Sequence, residues 1–174
     1  MRKFVPPLPV LLICVALAGC GYHAAGKADL LPTDLRTIAI PTFQNQTQTY
    51  KIEQRLTEAV VHEFLGRAHY QIVSDAKQGA DAVLRGTVTN SYVYPVTYDT
   101  QTGRVATVEA VIVANVVLND RQGHTLYSNA NYVFRDQYQL SRDVASFFQE
   151  ETPALDRMSR DFARTLVSNI LEGF

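Results

Sequence analysis

Few residues in this chain have the types and spacing that chemistry requires. The four histidines are His23, His62, His69 and His124, and the two cysteines are Cys14 and Cys20. His62-Glu63 opens like the zinc motif H-E-x-x-H, but Gly66 holds the place of the second histidine, so a metal would lack its i+4 ligand on that helical face. A surface histidine is the expected state. No G-x-S-x-G turn exposes a serine nucleophile, and no G-x-x-x-x-G-K-[ST] loop cradles phosphate. Gly79, Gly86 and Gly103 lie too far apart for a dinucleotide fingerprint, and no local pattern pairs the scattered carboxylates as acid and base. The expectation is a chain with no catalytic set, no metal and no cofactor, which is not an enzyme.

Cys20 is the exception. As an isolated residue it is open to four uses: buried core, metal ligand, nucleophile or covalent lipid acceptor. The chain opens Met1-Arg2-Lys3 and runs without charge from Phe4 to Ala18, the build of a secretory signal peptide. That run is shorter than the roughly 20 apolar residues of a spanning helix and carries Pro6, Pro7 and Pro9, which break helical hydrogen bonding. It ends Leu17-Ala18-Gly19-Cys20, which resembles the bacterial lipobox, where small residues let a peptidase hold the chain extended before the cysteine that takes diacylglycerol. The resemblance implies removal of 1–19 as a lipoprotein signal peptide and lipidation of Cys20. Each buried methylene adds roughly 0.8 kcal/mol of membrane affinity and one chain alone holds marginally, so two or three palmitate-type acyl chains would give a lasting anchor. Gly21, where an aspartate would favour inner-membrane retention, points to the outer membrane.

Cleavage would also remove Cys14, leaving no thiol for disulfide, thiolate or metal chemistry. The whole chain has 16 basic and 17 acidic residues; without Arg2 and Lys3 the net charge is about −3. That is no field for nucleic acid.

Arg85, Arg104 and Arg121 fall on or beside predicted strands and turns, where guanidinium groups would engage phosphates bidentately; the plainer reading is solvated charge. Tyr92, Tyr94 and Tyr98 cluster toward one strand end as core rim or contact surface.

The elements that must position these residues follow from periodicity. With 47% hydrophobic and 19% charged residues the chain can bury a real core. Residues 20–34, with two glycines and a proline in GYHAAGKADLLPTD, read as a lipidated N-terminus and tether, and 35–174 as a single domain. LRTIAIPTF (35–43) alternates as a strand with Pro41 at its edge or end. Ile52, Leu56, Ala59, Val60 and Phe64 make one helical face, Thr49 a cap and Gly66 a stop. YQIV (70–73) completes a strand–helix–strand unit, the setting of a parallel crossover. Two long strands follow. Residues 80–98 place Ala82, Leu84, Val88, Tyr92, Tyr94 and Val96 on one side; residues 105–120 place Val108, Ala110, Ile112, Ala114, Val116 and Leu118 on one side. Their second face mixes Thr87, Thr89, Ser91, Thr107, Asn115 and Asn119 with Val111, Val113 and Val117, too apolar for routine exposure and too polar for a core, which suggests a docking surface. DTQTG (99–103) and NDRQG (119–123) are turns, and 124–134 a third long strand. Thr152-Pro153 marks the start of a final helix with the stripe Leu155, Met158, Phe162, Leu166, Val167 and Ile170, preceded by a helical turn within 141–151. The fold class expected is α+β: a two-layer α/β sandwich with two helices on one face of a four- or five-stranded, mostly antiparallel sheet.

CGYH after the lipobox, LRTIAIPTFQNQT before an amphipathic helix, ADAVLRGTVTNSYVY, and TGR leading into VEAVIVANVVLND together resemble the LPS-assembly lipoprotein family LptE over nearly all of the mature chain. The resemblance implies a non-enzymatic outer-membrane lipoprotein whose partner is the β-barrel LptD, in whose lumen it sits as a plug while assisting barrel assembly and the insertion of lipopolysaccharide into the outer leaflet. It also implies contact with lipopolysaccharide through basic residues near strand ends, without fixing their positions; Arg85, Arg104 and Arg121 are the candidates. IAIPTFQN before a helix also resembles lipoprotein modules that activate cell-wall synthases or form curli-type secretion channels, the alternative reading.

Overall fold

The computed structural model describes residues 31–67, 69–140 and 144–172, with side chains from 155 onward in the last segment. The strands are β1 (Thr37–Ala39), β2 (Gln44–Asn45), β3 (Gln71–Val73), β4 (Ala82–Tyr98), β5 (Val105–Asp120) and β6 (Thr125–Gln139). The helices are α1 (Ile52–Arg67) and α2 (Val144–Glu172).

All six strands form one sheet in the order β3-β1-β4-β5-β6, with β2 also on β4. β1 pairs parallel with β3 across the α1 crossover, as expected of the strand–helix–strand unit. β1 and β2 lie end to end along β4, opposite Ala82–Val83 and Thr87–Val88. The expected strand 35–43 is thus shorter, and a sixth strand of two residues resumes the pairing after Pro41, which has no N–H to give a ladder. β4, β5 and β6 are antiparallel throughout. β6 runs five residues beyond the expected end at 134, its last pair being Gln139 with Thr107.

Both helices lie on one face. Ile52, Leu56, Val60 and Phe64 of α1 and Met158, Phe162, Leu166, Val167 and Ile170 of α2 are buried against Leu84, Val88 and the predicted apolar face of β5. Phe162 meets Tyr132 and Phe134 of β6 edge to face, at 5.2 and 5.9 Å. Arg55 bonds Asp156 at 2.5 Å and Arg67 bonds Ser168 at 3.1 Å, each pair 101 residues apart. An equal offset at both ends means that α1 and α2 run parallel, because each returns across the sheet from a strand of the same direction.

Three expectations are corrected. The final helix begins at Val144 and continues through Pro153; one missing donor removes one helical bond, which the rest of a 29-residue helix can bear. Gly66 lies inside α1, which ends at Arg67. Leu31, within the stretch read as tether, is 3% exposed and part of the core, so the packed part of the chain reaches into that stretch.

Candidate functional site

The feature that sets this sheet apart is its length relative to what covers it. At about 3.3 Å per residue β4 extends roughly 50 Å, while β1 and β2 accompany it only as far as Val88. Beyond that, Asn90–Tyr98 pair with β5 alone, and β4, β5 and β6 project as a three-stranded blade. The described residues with large exposed apolar side chains concentrate there: Tyr92, Val93, Tyr94, Val96 and Tyr98.

A β-bulge aims them. Val88 pairs with Ala114 and Asn90 with Val113, leaving Thr89 as an extra residue whose hydroxyl donates to the Val113 carbonyl at 3.1 Å. An extra residue reverses the alternation that follows. Ala82, Leu84 and Val88 therefore face the helices as expected, but Tyr92 and Tyr94 do not. They pair with Val111 and Glu109 on the open face, and Ser91, expected there, pairs with Ile112 on the helix side. A second bulge sets Val96 apart as the unpaired residue between Pro95 and Thr97.

The open face keeps Thr87, Thr107, Asn115, Asn119, Val111, Val113 and Val117 as predicted, and β6 adds Val133 beside Val113 and Arg135 beside Val111. No helix among the described residues covers it. Tyr94 donates its hydroxyl to Glu109, which also accepts from Gln137 Nε2 at 2.9 Å and faces Arg135 Nε at 3.8 Å. The Tyr94 bond, then Gln137 and Arg135, outweigh desolvation and hold the Glu109 carboxyl below its ordinary range. The same bond raises the Tyr94 hydroxyl.

The three arginines do not converge. Arg85 is exposed on the open face opposite Val117. Arg104 follows the β4–β5 turn, which Gly103 closes at φ 69° and Asp99 caps by accepting from the amides of Gln101 and Thr102. It lines a pocket of about 420 Å³ with Thr97, Thr102, Thr107 and Gln139. Arg121 lies at the other end of the sheet, donating to the carbonyls of Gly79 and Ala80 at 3.0 and 3.2 Å and to Asp81 at 3.1 Å. These bonds brace the β5–β6 turn against the entry to β4. His62 lies in an open groove of about 720 Å³ between the helices, with Arg55, Asp156, Ser159 and Arg160. Cys20 and His23 lie outside the described residues.

The Glu109 cluster escaped sequence reasoning. Tyr94, Glu109 and Gln137 become neighbours only through pairing across three strands, and the Thr89 bulge carries no local signal. Arg135 and Gln137 sit on β6, both beyond its predicted end at 134.

A parallel-entry sheet with a long antiparallel blade and two parallel helices on one side defines a class of small α+β sandwich modules. The solution structure of an uncharacterized lipoprotein B from Nitrosomonas europaea matches with a TM-score of 0.58 at 14% identity, over 88% of this chain and 92% of that one. The rare lipoprotein B of Shewanella oneidensis matches at 0.50 and 15%, over 79% and 92%. The PelC dodecamer of Paraburkholderia phytofirmans matches at 0.52 and 17%, over 77% and 87%. These likenesses establish the fold. A search of curated proteins found no match. The family model described as LptE, lipopolysaccharide-assembly, matches residues 35–170. The chain belongs to the LptE family of lipopolysaccharide-assembly proteins.

Proposed function

We propose that the mature chain begins at a lipidated Cys20, is held on the periplasmic side of the outer membrane, and acts without catalysis by lodging its domain in the lumen of an LptD-type β-barrel. There it would support barrel assembly and the passage of lipopolysaccharide to the outer leaflet. The carrying observation is the open face of the blade, which leaves Val113, Val117 and Val133 among threonine and asparagine with no layer over them among the described residues. A wide, polar-lined barrel needs filling, and a mixed apolar and hydroxyl-bearing surface suits that wall. The lipid would keep the two at high local concentration.

Affinity purification from detergent-solubilised membranes tests this. Recovery of a large barrel protein supports the plug; recovery of a cell-wall synthase, or of a ring of the chain alone, overturns it. The ring is the second reading, favoured by the fold shared with dodecameric PelC. The anchor has its own test: Cys20→Ala should move the domain from the membrane fraction to the soluble periplasm, and retention in the membrane without a barrel partner would refute it.

A further inference from the structure

The blade has two long edges, and they are built differently. On β4 beyond Val88, Pro95 lacks an N–H and bulges at Thr89 and Val96 interrupt the ladder, devices that blunt an edge against a further strand. On β6, Tyr132–Gln139 pair one to one with Ala114 back to Thr107, without proline, glycine, lysine or bulge. At about 3.4 Å per residue this straight stretch is roughly 25 Å long. Among the described residues no strand joins β6 on its outer side.

Register decides which backbone groups that edge presents. The Leu140 amide donates to the Ala106 carbonyl at 2.9 Å. Bonded and unbonded pairs alternate along an antiparallel ladder, so Phe134, Asp136 and Tyr138 bond β5, whereas Val133, Arg135, Gln137 and Gln139 turn their N–H and carbonyl groups outward. The Thr89 hydroxyl agrees: it reaches the Val113 carbonyl from β4, on the side away from Val133. A row of outward backbone groups is the template for an added strand.

Side chains narrow the occupant. Arg135 and Asp136 are consecutive and opposite in charge, and alternation turns Arg135 to the open face and Asp136 to the helix face. Arg135 is 58% exposed, with Glu109 at 3.8 Å. Phe134 and Tyr138, on either side of Asp136, are half-buried against the core. An incoming strand therefore needs an acid opposite Arg135, a base opposite Asp136 and apolar residues beside Phe134 and Tyr138. A second copy of β6 fails this. Outward residues must face outward residues, and the two registers that use the straight stretch most fully, centred on Arg135 or on Asp136, set like charges directly opposite each other. A wall strand of a closed barrel fails too, because closure leaves it no free edge. The open face ends at this edge, so a barrel that encloses the face also meets the edge.

We propose that the outer edge of β6, from Val133 to Gln139, docks an extended polypeptide segment that joins the sheet beside β6, and that this segment is a loop or terminal stretch of the partner barrel carrying adjacent acidic and basic residues. That the barrel is the donor rests on the plug reading above; the edge and its charge pattern come from the geometry.

Hydrogen exchange on the full-length protein in detergent, alone and in the complex recovered by affinity purification, tests it residue by residue. In the complex the amides of Val133, Arg135, Gln137 and Gln139 should slow roughly tenfold or more, while those of Phe134, Asp136 and Tyr138, already bonded to β5, should change little. Gln137→Pro removes an outward donor and no bond to β5, and should lower barrel recovery roughly threefold to tenfold. Arg135→Glu with Asp136→Arg keeps the net charge and reverses the pattern, and should lower recovery at least as much. The exchange readout needs no variant, so it decides even where a variant fails to fold. A barrel recovered without slowing of the outward amides overturns the docking edge and leaves the plug reading intact. Recovery of no barrel overturns both. Outward amides already protected in the chain alone mean that the edge is taken, by a second copy if dilution exposes them and by another part of this chain if it does not; either result overturns the proposal.

Discussion

The ring of Phe43 lies against the backbone of Gly86 so closely that a β-carbon on residue 86 would stand 2.5 Å from Phe43 Cδ2. Phe43 is 3% exposed and its amide donates to the Thr57 hydroxyl at 2.9 Å, so the ring is held from behind and cannot retreat cheaply. This contact seats the segment between β1 and β2 on β4. Gly86→Ala should therefore destabilise the domain by about 1–3 kcal/mol, as overpacking of a filled core does. Thermal unfolding should show a fall of several degrees that Gly86→Ala combined with Phe43→Leu partly restores; an unchanged melting temperature for the single variant would show that the ring moves freely.

Tyr132 gives the opposite sign. It is 5% exposed, packs edge-on to Phe162, and its hydroxyl has no hydrogen-bond partner among the described residues. Thr165, beside it, donates to the Asp161 carbonyl at 2.9 Å. Burial raises the Tyr132 hydroxyl well above its ordinary range. Removing an orphaned polar atom while keeping the ring relieves a desolvation cost, so Tyr132→Phe should leave stability unchanged or raise it by up to about 1 kcal/mol. Urea unfolding would read this, and a clear loss would reveal a hidden partner.

Asp81 ties the entry of the sheet together. Its carboxylate accepts from the amides of Thr37 and Arg36 at 2.9 and 3.0 Å and from Arg121 at 3.1 Å. The Thr37 and Arg36 amides, with a smaller contribution from Arg121, outweigh desolvation and hold its carboxyl below 3.8. A depressed folded value contributes stability that is present above the unfolded value and is lost as pH falls through the folded one. Wild type should lose stability as pH drops below about 4, and Asp81→Asn should show less of that loss because its contribution is already gone. Identical acid profiles for the two proteins would remove Asp81 from the account.

Thr89 is the surplus residue of the bulge, since Val88 and Asn90 occupy consecutive rungs against Ala114 and Val113. Deleting it should regularise the ladder while leaving Tyr92 and Tyr94 on the open face. Both should nitrate with tetranitromethane as in wild type; protection of both would mean that the deletion turned them toward the helices.

Ile52, Leu56, Val60 and Phe64 could be assigned to the core from the chain alone, as could the alternate residues from Val108 to Leu118. Periodicity of 3.6 or 2 is a local property, and burying such a stripe is the dominant favourable contribution to folding. The same holds for the turns at Asp99–Gly103 and Asp120–Gly123, whose glycines adopt φ of 69° and 91°. The stretch Leu17–Cys20, whose resemblance to a lipobox carries the proposed anchor, is likewise a local pattern.

Local pattern failed where pairing intervened. The facing of Tyr92 and Tyr94 depends on an unpaired Thr89, and whether a residue is surplus is a relation between two strands, invisible in either. Gly86 carried no sign that Phe43 needed its missing β-carbon. The separation of Arg104 from Arg121 by the length of the sheet, and the meeting of Tyr94, Glu109 and Gln137 across 43 residues of chain, are outcomes of strand register. Side-chain amphiphilicity told which residues had to be covered; long-range backbone hydrogen bonding settled what stands next to what, and the Glu109 cluster is made wholly of the second kind of fact.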